Sequence, residues 1–446
     1  MGVARRRRTL GLLLLLSVFT AAGVQAVMSS QRRQVSTAAE LISAAGDAAV
    51  ADIVVSADLT ELPTLRLSAG KTLRGANPGV ILRFVAGQDG VQLSSDNQIE
   101  NLELQADVDR RALFNDTKVE HLGRLVLRNL RTIGVIQLLA RDKVRSGHVE
   151  AERVDVVAGD ARSYGERPKG YGVEVIPGAF MLWNQQADRS TTITADLVGL
   201  SAGRAGAPVR GSGIFVSGAG DMGGRLLVRR LETGGVYSDG GIARGTPDRI
   251  AGGVFVVSGA FVDSVRNLGP VATYGPNDMV LDNWGVVANW TANEKITSSG
   301  PSGIGFVNFG TVDVLHVKAA IETFGQGSRG FNVYTGTVHT AEFERIVTHA
   351  DGAVGVQISQ PVGEITVRRG IETYGGTGDS LVKGVVVKLA AVALSIKPGG
   401  AARKIAIAGG LITHGAGVNP LEVHGQVDSL QITEGVAAAG GGFDGI

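Results

Sequence analysis

The sequence predicts an all-β fold built as a parallel β-helix, and three observations carry the prediction. A short motif, apolar-x-Thr/Ser-x-Gly/Ala, recurs from Val271, Ile296, Ile321, Ile346 and Ile371 in steps of 25 residues. A second apolar run keeps pace about seven residues after each motif, as in MVLDN from Met279, GFVNF from Gly305, GFNVY from Gly330 and GVQIS from Gly355. Glycine supplies 65 of 446 residues against 12 prolines, a turn-rich composition without the character of a linker. Three short strands and three turns per 25 residues make one coil of a β-solenoid. Coils stack at about 4.8 Å, and no single coil is stable alone.

The chain opens with four arginines, an apolar run from Leu10 to about Val24, and small residues with Val24 and Ala26 at the −3 and −1 positions of a cut. That order reads as a secretory signal peptide over residues 1–26, and hence as an exported, periplasmic or cell-surface protein without a permanent membrane span. Its removal takes four positive charges and moves the formal net charge from +1 to −3, which gives no basic footprint for nucleic acid. There are no cysteines, so disulfides, thiolate metal sites and cysteine nucleophiles are excluded.

Residues 27–50 form an N-terminal segment in which STAAELISAAG places Thr37 and Glu40 as a capping box ahead of an alanine-rich amphipathic stretch. A short helix there would close the first coil, whose strand edges would otherwise stay unpaired. From residue 51 to residue 446 the sequence reads as one β-helix domain. NQIENLELQAD, GRLVLRNLRTIGVIQLL and GHVEAERVDVVAGD are its less regular first coils.

In the regular part, the third place of the motif falls at Thr233, Thr273, Ser298, Thr323, Thr348, Thr373, Thr413 and Ala438, with two intervals of 40 in place of 25. Those longer intervals are coils that let out a loop, one from Gly234 to Gly253 and one between Gly375 and Gly410, the latter expected to be split between two turns. Strand alternation points Ile321, Thr323, Ile371 and Thr373 inward and Glu322, Phe324, Glu372 and Tyr374 outward. The inward hydroxyls form a column. The outward residues Tyr274, Ser299, Phe324, His349, Tyr374 and His414 form a stripe down one face.

The opening of the mature chain, STAAELISAA, ADIVVSADLT and LPTLRLSAGKTLRGANPGVILRF, resembles that of the pectate-lyase-like right-handed parallel β-helix superfamily, and the 25-residue coils extend the resemblance over most of residues 35–446. It implies a right-handed solenoid, and at about 25 to 40 residues per coil the chain makes roughly twelve to fifteen coils. The superfamily hosts polysaccharide lyases, hydrolases and epimerases, but also tailspikes and adhesins, so the resemblance speaks for fold more than for activity. Its catalytic signatures are absent: there is no GDD, DPH or RxPxxR segment, and GERPKG around Arg167 only touches the last. GAGDMG from Gly218 and GLSAG from Gly199 match a dinucleotide fingerprint and a nucleophile elbow by letter, but neither is followed by a helix. The seven histidines show no close ligand pairing, and no metal site or cofactor is predicted.

Two constellations bear on function. Tyr274, Glu322, Phe324, His349, Glu372 and Tyr374 on the stripe suit a sugar, since aromatic rings pack on pyranose faces and carboxylates accept hydroxyl hydrogen bonds. Glutamates two coils apart would lie roughly 9.6 Å apart, at the upper end for an inverting glycosidase pair. Stacked coils also put like residues in register for structural reasons alone. The second constellation is three loops, GDARSYGERPKGYG from Gly159, Val236–Arg249 with Asp239, Arg244, Asp248 and Arg249, and TYGPNDMVLDNWG with Asp278, Asp282 and Trp284. If they wall one groove, an arginine base with carboxylates holding calcium would be lyase chemistry. The reading is therefore a polysaccharide-engaging or surface-structural β-helix, with a polysaccharide lyase or glycoside hydrolase and an adhesin-like solenoid without small ligand as alternatives.

Overall fold

The computed structural model describes residues 31–441. The signal peptide read at 1–26 lies outside them, as does the C-terminal segment 442–446. The chain folds as a right-handed parallel β-helix with one short helix, its strands gathered into two long parallel sheets. The coil from Val286 shows the plan: Val286–Ala292 on a first face, Ile296–Ser298 on a second and Ile304–Asn308 on a third. Each pairs in parallel with residues 25 further on, Val287 with Val312, Ile296 with Ile321 and Phe306 with Phe331. The first two faces join into one sheet because some strands, such as Thr311–Thr323, round the corner with a register shift after Val317.

Alternation fills the interior. Val271, Ile296, Ile321, Ile346, Ile371 and Leu411 stack in one column, each fully buried or nearly so. Trp290 occupies an interior place of the first face, packed edge-on against Phe306, and its indole N–H donates to Asn267 Oδ1 at 2.9 Å. Outward charges pair between neighbouring coils, as Arg124 does bidentately with Glu150.

The hydroxyl column is inward and buried from Thr273 to Thr413, but most of its members do not bond to one another. Thr273, Thr348 and Thr413 donate to the carbonyls of Asp278, Ala353 and Val418, five residues on, so each hydroxyl closes its own turn. The glycine two places later answers to close stacking. A Cβ on Gly325 would lie 1.8 Å from the Gly300 carbonyl, and one on Gly300 would meet Gly275 in the same way.

Three expectations need correction. Thr233 does not belong to the hydroxyl column: Ser238 pairs with Thr273, while Thr233 stands beside Asn267 and accepts from its side chain at 2.9 Å. Both LET and VYS fit the motif, and only stacking decides between them. The loop at Gly234–Gly253 is consequently narrower, because strand Arg225–Asp239 runs through its first residues. The later insertion is not divided between two turns. It is an antiparallel hairpin, Thr377–Val382 with Val385–Ala390, that pairs with neither long sheet.

The predicted capping helix is Ala38–Gly46, with Thr37 Oγ accepting from the Glu40 N–H at 3.2 Å and Glu40 returning the bond to the Thr37 N–H at 3.1 Å. Its other end is closed by buried Lys71, whose ammonium donates to the carbonyls of Ala44, Asp47 and Val50, where the helix dipole favours a cation.

Candidate functional site

The outward stripe exists as a physical stack. Phe324 lies on His349 at 4.5 Å and 2°, His349 on Tyr374 at 5.2 Å and 10°, and Tyr374 on His414 at 4.3 Å and 6°. The faces that a pyranose would need are therefore turned to one another. Glu322 and Glu372 sit two coils apart, each opposite Val347 in the register, and both are engaged. Glu322 meets Lys295 and accepts from His349 at 3.0 Å. Glu372 accepts from Tyr374 and His414 at 2.8 Å each and meets Arg345. Burial acts to raise both carboxyls, but these partners together hold them below the usual carboxylate range. Tyr274 is not part of the stack; its hydroxyl donates to the Ala205 carbonyl at 2.9 Å.

The three loops do meet. A Cβ on Gly241 would lie 2.5 Å from Arg162 Nη1 and one on Gly170 2.8 Å from the Trp284 ring, Asn277 donates to the carbonyls of Thr246 and Arg249, and Asp278 accepts from the Gly240 N–H at 3.0 Å. Most of the loop candidates face away from open space or lie off the grooves. Asp239 pairs with Arg210 and accepts from the Gly241 N–H at 2.8 Å. Arg244, Asp248 and Arg249 are exposed on the outer loop. Asp278 is wholly buried; burial pushes its carboxyl up to about 7, against the pull of the Gly240 and Gly275 N–H groups. Asp282 is also wholly buried, in a covered layer on the outside of the third face.

That third face carries an extended groove. A cleft of about 720 Å³ runs beneath Gly165–Lys169, lined by Arg141, Glu166, Arg167, Trp183, Gln185 and Trp284 among others. It crosses five coils, since Leu139 stacks on Trp183, Trp183 on Ser217, and the strands through Val256 and Asn283 continue the series. At the coil spacing this is roughly 19 Å along the axis. A second cleft of about 350 Å³, with Arg111, Gln137 and Tyr164, continues it on the far side of the Arg141–Glu166 ion pair, 2.8 Å long. Burial pushes the Tyr164 phenol up, so it stays a hydrogen-bond donor. Arg167 and Lys169 are steadied by Glu174, at 3.8 and 2.6 Å.

Of the residues named from sequence, Trp284 lines this groove, and Glu166, Arg167 and Lys169 come from the Gly159 segment quoted there. Arg141, Trp183 and Gln185 were not found. Stacking places them: in the third-face strands through QLLAR and FMLWNQQ, Leu139, Met181 and Trp183 occupy the outward places, which an unbroken apolar run does not reveal.

Among the described residues no group of histidines, aspartates and glutamates is placed to hold a metal ion, and no helix is long and apolar enough to cross a membrane. No family model, curated protein or solved structure matches the chain.

Proposed function

We propose that the protein is an exported, pectate-lyase-like β-helix that engages a polysaccharide, and that it does so in the third-face groove in preference to the aromatic stripe. The observation that carries the reading is the groove itself: an elongated cleft across five coils, lined by two indoles and by Arg141, Arg167 and Lys169. Long grooves on a rigid scaffold suit linear polymers, and arginine pairs with carboxylates in a bidentate fork, so uronate-containing chains are the favoured class. The rings of the stripe stack on one another from Phe324 to His414, which turns most of their faces away from a sugar. Glu166 is the one carboxylate among the groove-lining residues, and it is tied to Arg141. A binding role therefore fits the groove better than acid–base chemistry.

The test is affinity electrophoresis and calorimetry on a panel of uronate-containing polysaccharides, with absorbance monitored for new double bonds. Binding without turnover is expected, weakened about tenfold by Arg141→Ala, or ~1.4 kcal/mol, and unchanged by Tyr374→Ala. Binding lost in Tyr374→Ala but intact in Arg141→Ala would return the site to the stripe. Rising ultraviolet absorbance would make the protein a lyase.

A further inference from the structure

Arg141 and Glu166 line both clefts of the third-face groove. Arg141 Nη1 donates to both oxygens of Glu166, at 2.8 and 2.9 Å, and Gln185 Nε2 donates to Glu166 Oε2 at 3.0 Å. The two donors belong to the solenoid. Arg141 directly follows the strand Val135–Ala140, Gln185 follows the strand Gly178–Asn184 that stacks on it, and the Gln185 N–H donates to the Ala140 carbonyl at 2.9 Å. Glu166 comes instead from the segment over the groove, and its side chain is 59% exposed. A carboxylate carried by a loop thus occupies donors supplied by the rigid coil.

The smaller cleft holds polar groups that nothing in the chain uses. Gln137 stands outward between the core residues Ile136 and Leu138, is 8% exposed, and lines the cleft with an amide that has no hydrogen-bond partner among the described residues. Tyr164, its phenol kept protonated by burial, lines the same cleft. Arg141 Nε is buried without a hydrogen-bond partner, and Asp142, the other acid beside it, is 3.7 Å away. Glu166 is the only carboxylate among the residues lining either cleft, against Arg111, Arg141, Arg167 and Lys169. The segment that carries it is fastened elsewhere, by Glu174 to Arg167 and Lys169 and by Arg167 to the Arg162 carbonyl at 3.0 Å.

We propose that Arg141 and Gln185 form a carboxylate subsite of the groove in which Glu166 is an internal stand-in, and that a uronate displaces Glu166 and brings its ring hydroxyls to Gln137 and Tyr164. The inference rests on the polysaccharide reading of the groove and adds to it which donors take the acid. A guanidinium and an amide converging on one carboxylate are the charge-assisted donors that a uronate needs. An exposed ion pair contributes little to stability, so Glu166 yields its place at small cost. Its departure joins the clefts of about 720 and 350 Å³ into one and gives the Gln137 amide, costly while unpaired, a hydroxyl to bond. A pair that served only to fasten the segment would need neither Gln185 nor a free amide beyond it.

Calorimetric titration of the full mature chain with polygalacturonate, alginate and glucuronan, each beside its carboxyl-reduced form, tests the proposal. Glu166→Gln, which keeps the side chain's shape, should bind the preferred uronate polymer about threefold to fivefold tighter than wild type and leave the reduced polymer unchanged. The gain should vanish in an Arg141→Ala background, where a general effect of removing one negative charge would persist. Gln185→Ala and Gln137→Leu, each added to Glu166→Gln, should weaken binding severalfold. Circular dichroism of each variant confirms that the coil is intact. A Glu166→Gln variant that binds no tighter than wild type, or a gain that survives Arg141→Ala, overturns the subsite and leaves the groove reading standing. Failure of wild type and Glu166→Gln alike to bind any of the three polymers overturns both.

Discussion

The second-face stripe and the covered third face are both outward surfaces of the same solenoid, and they differ in how their polar groups are matched. On the stripe, Phe324 and Tyr374 remain 44% and 43% exposed, yet each carboxylate beside them has at least two partners. On the third face, Phe309 and Trp284 are nearly buried, yet Asp282 and the Trp284 N–H have no partner among the described residues. The difference follows from the repeat. Where the coil copies itself every 25 residues, an outward glutamate meets the lysine, arginine or histidine of the coils beside it. Where the Gly159 segment and the 377–390 hairpin fold over the coil, they bring apolar cover that no repeat has matched to the polar groups beneath. Solenoids settle their polar groups by repetition, and inserted segments that cover the coil fall outside that matching.

The largest expected consequence is in packing energy. Phe309 stacks on both Tyr171 and Tyr334 and meets the edge of Trp284, so Phe309→Ala should cost about 3–5 kcal/mol. Phe324 is half-exposed and touches one ring, His349, so Phe324→Ala should cost about 0.5–1.5 kcal/mol. Urea denaturation of the two variants measures the difference. Equal losses would mean that the covered layer is not a second core.

Much of the coil was legible in the sequence because strand parity and a fixed period act on neighbouring residues. Ile321–Glu322–Thr323 states its own inward and outward faces, and Thr37 with Glu40 states its own cap. Thr233 misled because two triplets in one strand satisfy the same pattern, and only the pairing of Ser238 with Thr273 separates them. The surroundings of Asp282 were not legible. In sequence it is one polar residue on a strand, and its burial depends on Tyr171 and Leu381, which are remote from it along the chain. Trp183 was hidden differently: every residue of its strand is buried, so its outward place shows only when coils are stacked.

The two regions should also answer oppositely to pH. Asp278, buried at the edge of the covered face, has its carboxyl pushed up to about 7, above the ordinary unfolded value of about 3.9. The folded chain then holds the proton more tightly than the unfolded one. Its contribution to stability is full below the ordinary carboxylate range and is lost as pH rises through about 7. Asp278→Asn can still accept from Gly240 and Gly275 and removes the titration. The variant should match wild type near pH 4 and exceed it near pH 8 by on the order of 3 kcal/mol, read from urea midpoints across that range. A variant that is less stable at every pH would show that the ionised form is the one the fold requires.

Glu372 gives the smallest effect and the opposite slope. Burial alone would raise it, but His414, Tyr374 and Arg345 together hold it below the usual carboxylate range. Its folded value lies under its unfolded one, so its contribution is present above the ordinary range and is lost as pH falls through the folded value. Glu372→Gln keeps one acceptor for Tyr374 and removes the charge facing Arg345 and His414. It should cost about 1 kcal/mol near pH 7 and almost nothing near pH 3, measured by the same urea titrations. Acidification would then weaken the stripe while strengthening the covered face in a single molecule. If Glu372→Gln and Asp278→Asn shifted stability in the same direction at pH 8, the contrast between the exposed stripe and the covered face would fail.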